Sequence, residues 1–347
     1  MISRIFLLLF VTCTIIKPAF ADDAVAPETE AAIDRGLKYL ADKQTAEGTW
    51  PGNIGKSSAV TSLATMAFLA RGHTPGQGPY GDHINRSIDF VIKNQKANGL
   101  LSATNGTMYD HGASTVMLCE VFGMVDDTRK PKLEAAIAKA AKVILDAQKV
   151  HKSDAEKGGW RYQINSPDSD ISVTGWQLMA LRGAANCGAS VPKDALDDGV
   201  SYIKRLVSHK HDGGGFGYQQ RGSPNRARTG TGILSLELLG QHTAEQPHLP
   251  EALAGGDFLL KNPFGNGDEE YFYYTVYYTS QAANQLGGKY WDGIYPNLRK
   301  AVLARQKVDG SWPEGNGGEQ SAGKAYSTAM ATLSLCVPYH YLPLYQK

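Results

Sequence analysis

"GLKYLADKQTAEGTW", residues 36–50, joins a short helical stretch to a Gln at 44, a glycine at 48 and a Trp at 50. The order recurs. "RSIDFVIKNQKANGLL" (86–101) repeats it with Phe90, Gln95, Gly99 and Leu101 in the Trp position. "ARQKVDGSWPEG" (304–315) restores Gln306, Gly310 and Trp312, and "VILDAQKV" supplies Gln148 ahead of Gly159 and Trp160 in "GGWRY". "GVSYIKRLVSHKHDGGGFGY" (199–218) keeps Gly199, Tyr202 and a glycine turn before Phe216. A fifth copy, "GGDFLLKNPFG", keeps Gly255 and Phe258 but has Pro263 where the Gln belongs.

Each copy precedes a second helical pattern, with apolar residues at i, i+3, i+4 and i+7. Five of these patterns end at Gly72, Gly123, Gly183, Gly240 and Gly287, where a helix C-cap is expected, and the last stops before Pro338. The glycines are 51, 60, 57 and 47 residues apart. The first helices carry charges, such as Asp34, Arg35 and Lys38, so one face meets water. The second helices are apolar nearly all round, with small residues interspersed, so they are buried. Six such pairs from about residue 31 to 341 describe one repeat architecture. The expected fold is all-α: an (α/α)6 toroid of six two-helix repeats, with charged outer helices around apolar inner ones.

The N-terminus stands apart. Arg4, the apolar run 5–11 and the small-x-small site at 19–21 have the layout of a cleaved secretory signal. The expected organisation is therefore a signal peptide over 1–21 and a single toroid domain over 22–347, exported to a periplasmic or secreted location. Removing Arg4 and Lys17 takes the net charge from +1 to −1. Near-neutral charge without a basic block argues against a nucleic-acid partner. No later stretch is apolar enough to span a bilayer. Cys119, Cys187 and Cys336 remain after cleavage, an odd and widely spaced set that reads as core thiols more than as a disulfide framework.

The repeat resembles that of the terpenoid-cyclase and protein-prenyltransferase superfamily, the prenyltransferase/squalene-oxidase repeat proteins. Their signature is a basic residue and Gly, two residues, an aromatic and Leu, three residues, Gln, three residues, Gly-x-Trp. Arg35-Gly36, Tyr39-Leu40, Gln44, Gly48 and Trp50 match every position. The resemblance implies a squalene-cyclase-like toroid in which the Gln meets the Trp of the following turn and ties neighbouring repeats. It also implies chemistry in the lumen, near the N-terminal ends of the inner helices.

At those ends, "DSDIS" (168–172) is similar to the Asp-x-Asp-Asp-Thr motif of squalene–hopene cyclases, with Asp170 on the position of the proton donor and Ile171 replacing its partner carboxylate. Two readings stand for Asp170: an acid that starts isoprenoid cyclisation, assisted by Asp168, or an N-cap of the third inner helix. "YDHG" (109–112) places Tyr109 and His111 on the neighbouring helix, where His111 either shuttles protons with Asp170 or makes a packing hydrogen bond. Trp176, Tyr274 and Tyr277 either line a pocket for an apolar or isoprenoid-like ligand or plug the lumen. Arg226, Arg228 and Lys324 either meet an anionic ligand group or sit on the surface. The cysteines lack the Asp and His spacing of the prenyltransferase zinc site, so neither metal nor cofactor is expected. A terpenoid cyclase or isomerase therefore stands beside two alternatives: a non-catalytic toroidal binding or scaffold protein, and a carbohydrate-active lyase or hydrolase using Asp168, Asp170, Glu269 and Glu270.

Overall fold

The computed structural model describes residues 25–52, 55–103, 106–208, 213–264 and 271–346; the signal segment, Glu269 and Glu270 lie outside them. The outer helices are α1 (Pro27–Lys43), α3 (Gly81–Lys93), α5 (Lys130–Gln148), α7 (Lys193–Arg205), α9 (Pro250–Lys261) and α11 (Gly288–Leu303). The inner helices are α2 (Ser58–Ala70), α4 (Met108–Glu120), α6 (Ile171–Asn186), α8 (Arg226–Leu239), α10 (Phe272–Leu286) and α12 (Gly318–Cys336). Around the ring α2 packs on α4, α4 on α6, α6 on α8, α8 on α10, α10 on α12, and α12 returns to α2. The fold is the all-α (α/α)6 toroid that the six repeats require. Among the described residues the only paired strands form a two-residue hairpin, Pro51–Gly52 with Gly55–Lys56. No described helix is long and apolar enough to cross a membrane.

The repeat motif works differently from the expectation that its Gln meets its Trp. The Gln amide of each motif bonds two carbonyls: Gln95 Nε2 reaches Gly99 O at 2.9 Å and Ala136 O at 3.0 Å, and Gln148 Nε2 reaches Gly158 O at 2.9 Å and Ala195 O at 2.8 Å. One carbonyl lies in its own glycine turn and the other in the next outer helix. The Trp bonds backwards, with Trp50 Nε1 donating to Leu40 O, Trp160 Nε1 to Ile144 O and Trp312 Nε1 to Val302 O, all at 2.8 Å. Two separate clamps result: the Trp satisfies a carbonyl near the C-terminus of its own outer helix, and the Gln ties its glycine turn to the N-terminal half of the next outer helix.

The glycines are equally specific. Gly48 has φ +88, and a Cβ there would lie 2.3 Å from Arg86 O in the next repeat. The glycine that opens the motif receives the preceding repeat's aromatic ring: a Cβ on Gly199 would meet Trp160 at 3.3 Å, and one on Gly36 would meet Trp312 at 2.9 Å. The second contact joins repeat six to repeat one. Gln306 Nε2 completes that joint by bonding Ala32 O at 2.8 Å and Gly310 O at 3.0 Å.

Of the five glycines expected to cap inner helices, Gly72 and Gly287 have positive φ and Gly240 is an extended C-cap. Gly183 does not cap: α6 runs on to Asn186, with Cys187 as C-cap and Gly188 left-handed behind it. Gly123 lies beyond the Val121 C-cap of α4. In α12 the helix breaks at Gly323, whose φ of 81 and ψ of 178 are non-helical.

Candidate functional site at the inner-helix mouth

The start of α6 shows how the mouth is built. Asp170 is extended, with φ −142 and ψ 160, and its Oδ1 accepts the N–H groups of Ser172 at 2.8 Å and Val173 at 2.9 Å. It is the helix N-cap. Its backbone pairs with Trp160 in an isolated antiparallel bridge. With Trp160 buried, the next residue, Arg161, turns to the mouth, where Nη1 lies 3.0 Å from Asp170 Oδ2 and Nε lies 3.3 Å from Asp168 Oδ2. The guanidinium also lies 4.5 Å from the Tyr162 ring centroid and 5.3 Å from that of Tyr218.

Asp170 is fully buried. Burial pushes its pKa up to about 6, against the opposing pull of the Val173 and Ser172 N–H groups and of Arg161. One oxygen serves the helix and the other the guanidinium, so proton donation from Oδ2 requires Arg161 to leave. Asp168 is partly exposed and also accepts from Gln219 Nε2 at 3.1 Å.

Other mouth carboxylates cap helices too. Asp110 Oδ1 reaches across to α2, accepting Ser57 Oγ–H at 2.9 Å and Ala59 N–H at 3.0 Å. Glu319 accepts the N–H groups of Tyr274 at 2.7 Å and Tyr273 at 3.3 Å, at the start of α10. Carboxylates in these positions complement the positive ends of the parallel inner helices.

Aromatic rings form the walls and floor. Tyr109, Tyr218, Tyr274 and Tyr326 are half-buried around the mouth, and Tyr162 is exposed. Tyr109 packs 5.8 Å from Tyr162, and Tyr274 Oη lies 3.0 Å from Thr231 Oγ1. Burial, then the nearby Tyr274 and Asp170, raises the Tyr109 pKa, so these phenols stay neutral. Below them Trp176 stacks on Tyr277 at 5.9 Å and meets Tyr278 edge-on at 5.8 Å, and all three are buried. From the opposite end the C-terminal segment enters the ring: the Tyr345 hydroxyl pairs with that of Tyr277, Leu344 N–H donates to Glu120 Oε1 at 3.0 Å, and Gln285 Nε2 donates to Tyr345 O at 2.8 Å. Trp176 and Tyr277 thus lie in the packed interior of the ring, while Tyr109 and Tyr274 are only partly buried at its mouth.

His111 stands elsewhere. It is fully buried, its Nδ1 accepting Leu101 N–H at 3.0 Å and its Nε2 facing Ala140 O at 3.1 Å, and it makes no pair with Asp170. The reason lies in the repeat. His111 is the fourth residue of α4, as Thr61, Thr174, Thr229 and Thr275 are of their inner helices. Thr174 and Thr229 accept the backbone N–H of Trp160 and Phe216 in the same way. Where Leu101 replaces the motif Trp, an imidazole replaces the hydroxyl and fills the space. Burial lowers its pKa to about 4.

Arg228 lies at the rim, 5.2 Å from the Tyr218 ring, with Nη1 donating to Ser223 O at 2.8 Å. Arg226 is turned aside, donating to Pro263 O at 2.8 Å, and Lys324 is exposed. Arg161, Tyr162 and Tyr218 were not singled out from sequence. The available signal was the alternation of an extended segment: with Trp160 inward, Arg161 must face away.

No known protein-family profile matches the chain. Among solved structures it is similar to the type II terpene cyclase MstE from Scytonema in complex with its substrate geranylgeranyl dihydroxybenzoate, at 15% identity over 91% of this chain and 98% of that one, with a TM-score of 0.58. The likeness is one of fold, the (α/α)6 toroid. A GH76 α-1,6-mannanase from Salegentibacter shares it at 12% identity, 90% and 99% coverage and a TM-score of 0.62. So does a protein from Actinoplanes, at 14% identity, 89% and 98% coverage and a TM-score of 0.56. The toroid thus carries both terpene cyclases and glycosidases, so the fold by itself does not name a chemistry.

Proposed function

We propose that the chain is an exported ligand-binding toroid whose site is the tyrosine-walled mouth of the ring. The ligand is a compact molecule with an apolar or isoprenoid-like body and a hydroxyl or anionic head group. The observation that carries this reading is the two-level arrangement of rings. Partly buried Tyr109, Tyr218 and Tyr274 lie beside Arg161 and Arg228 at the mouth, while Trp176, Tyr277 and Tyr278 close the lumen below. A closed lumen beneath the rings suits a short chain lying at the mouth. The secretory layout of residues 1–21 supports export.

Catalysis from Asp170 is the second reading, supported by its burial and by a pKa raised to about 6. In that reading a ligand head group draws Arg161 away, the carboxyl takes a proton, and Asp170 protonates an alkene above the Tyr274 wall. Carbohydrate cleavage has less support. Asp168 and Asp170 converge on one guanidinium, whereas glycoside hydrolysis needs two carboxyls facing each other across the scissile bond.

The test is mass spectrometry of small molecules and lipids that co-purify with wild type, Tyr274→Ala and Asp170→Asn. The expected result is an apolar-bodied compound retained by wild type, lost from Tyr274→Ala and unchanged in Asp170→Asn. An altered compound in Asp170→Asn favours turnover. Preparations of folded protein free of any such compound, which also bind no short prenyl alcohol or phosphate, would overturn the binding reading.

A further inference from the structure

Two of the three described cysteines meet at the end of the ring opposite the mouth. Cys119 lies in the last turn of α4, and Cys187 is the C-cap of α6. They are 68 residues apart in sequence, yet Cys187 Sγ lies 3.7 Å from the Cys119 carbonyl oxygen. Gly183 explains the approach. It sits one turn before Cys187, on the same face of α6. A Cβ there would lie 2.9 Å from Cys119 Cβ and 3.2 Å from its Sγ. Only a residue without a side chain lets Cys119 lie against the α6 backbone. Both thiols are partly exposed, whereas Cys336 is buried.

We infer that Cys119 and Cys187 are a redox pair that closes to a disulfide and staples the lower ends of α4 and α6. Cys187 Sγ–H points at the Cys119 carbonyl oxygen, and the closeness of the two thiols lowers the pKa of Cys187 and raises that of Cys119. Their roles in exchange follow. The Cys187 thiolate attacks one sulfur of a low-molecular-weight disulfide, whose S–S bond breaks and releases one thiol. The resulting mixed disulfide is attacked by Cys119, which gives up its proton, forms the Cys119–Cys187 bond and expels the second thiol. Two protein thiols are oxidised and one small disulfide is reduced to two thiols. The staple adjoins Glu120, which holds the C-terminal segment through Leu344, so it also fixes the seat of that segment.

The probe is oxidised glutathione added to the folded, reduced full-length protein, read by intact mass and by peptide mapping without reductant. The expected product is lighter by ~2 Da for two hydrogens lost and contains a Cys119–Cys187 cross-linked peptide. The same product should form in Cys336→Ala and be absent from Cys187→Ala. Closing so long a loop should raise Tm by several degrees, about 5–10 °C, reversibly with dithiothreitol. Unchanged mass, or a lasting glutathione adduct with no cross-link in protein whose circular dichroism is native, would overturn the pair. Cys187→Ala retaining the cross-linked mass would overturn the assignment of its partner.

Discussion

Asp170 shows how far a single residue's role depends on its surroundings. Its position after "DS" and before a helical pattern marks it as a cap, and the N–H groups of Ser172 and Val173 confirm that part. Asn keeps the capping oxygen and Ala does not. Both variants take the carboxylate from Arg161, and Asn sets a donor against it, so Asp170→Asn should cost about 1–2 kcal/mol and Asp170→Ala, which also loses the cap, about 1 kcal/mol more; urea denaturation at pH 7 compares them. His111 is the reverse case, a residue whose chemistry is taken up by packing. Its folded pKa of about 4 lies below the ordinary value of 6.5, so the unfolded chain binds the proton first. The stability it contributes is complete above pH 6.5 and is lost as pH falls towards 4, at up to roughly 1.4 kcal/mol per unit. The difference in urea midpoint between wild type and His111→Thr, measured from pH 7 to 4, should narrow on the acid side. Neither pairing was legible from sequence, because adjacency of two helices does not say which face each residue takes. Aligning the fourth residues of the inner helices would have revealed the role of His111.

At the scale of the element, the repeat is held by side-chain donors reaching backbone carbonyls: the Trp one near the end of its own helix, the Gln one in its turn and one in the next helix. The order of Gln, Gly and Trp was readable because each residue type serves a local need: an amide at a helix end, a left-handed turn, and a ring for the next helix to cover. Which carbonyl of the next outer helix each amide finds was not readable, since that partner lies tens to hundreds of residues away. The last joint is built as the others are. Gln306→Ala and Gln95→Ala each remove two bonds to part-buried carbonyls. Each should therefore cost about 2 kcal/mol in urea denaturation. A Gln306 variant with no measurable loss would show that repeats six and one are not joined in solution as the structure has them.

For the whole molecule, the consequence of closure is a lumen with two unlike ends. The mouth gathers helix N-termini, carboxylates, guanidinium groups and tyrosines, while the far end is filled by residues 343–346. Glu120 is the polar residue that seats this segment. Burial raises its pKa to about 8, partly opposed by the Leu344 N–H, so the folded protein holds it protonated at neutral pH while the unfolded chain ionises near 4.5. Its raised pKa makes stability fall as pH rises from about 4.5 to 8, by at most roughly 1.4 kcal/mol per unit, and the effect levels off above that. Gln keeps the acceptor without the charge. Glu120→Gln should match wild type near pH 5 and exceed it at pH 8 in thermal unfolding. Equal pH profiles for the two would show that Glu120 is not buried as described.

By itself the sequence determined the number of helix pairs, which helix of each pair is buried, and that the pairs close into a ring. Those properties follow from apolar periodicity and from a motif short enough to act within one turn. Only the tertiary structure decided that Arg161 neutralises Asp170, that His111 serves as a packing acceptor, that Trp176 and Tyr277 close the lumen and that the C-terminal segment stops its far end. Each of these depends on what surrounds a side chain after folding, since burial and the approach of distant groups set a residue's charge and access, and neither is written in its neighbours along the chain.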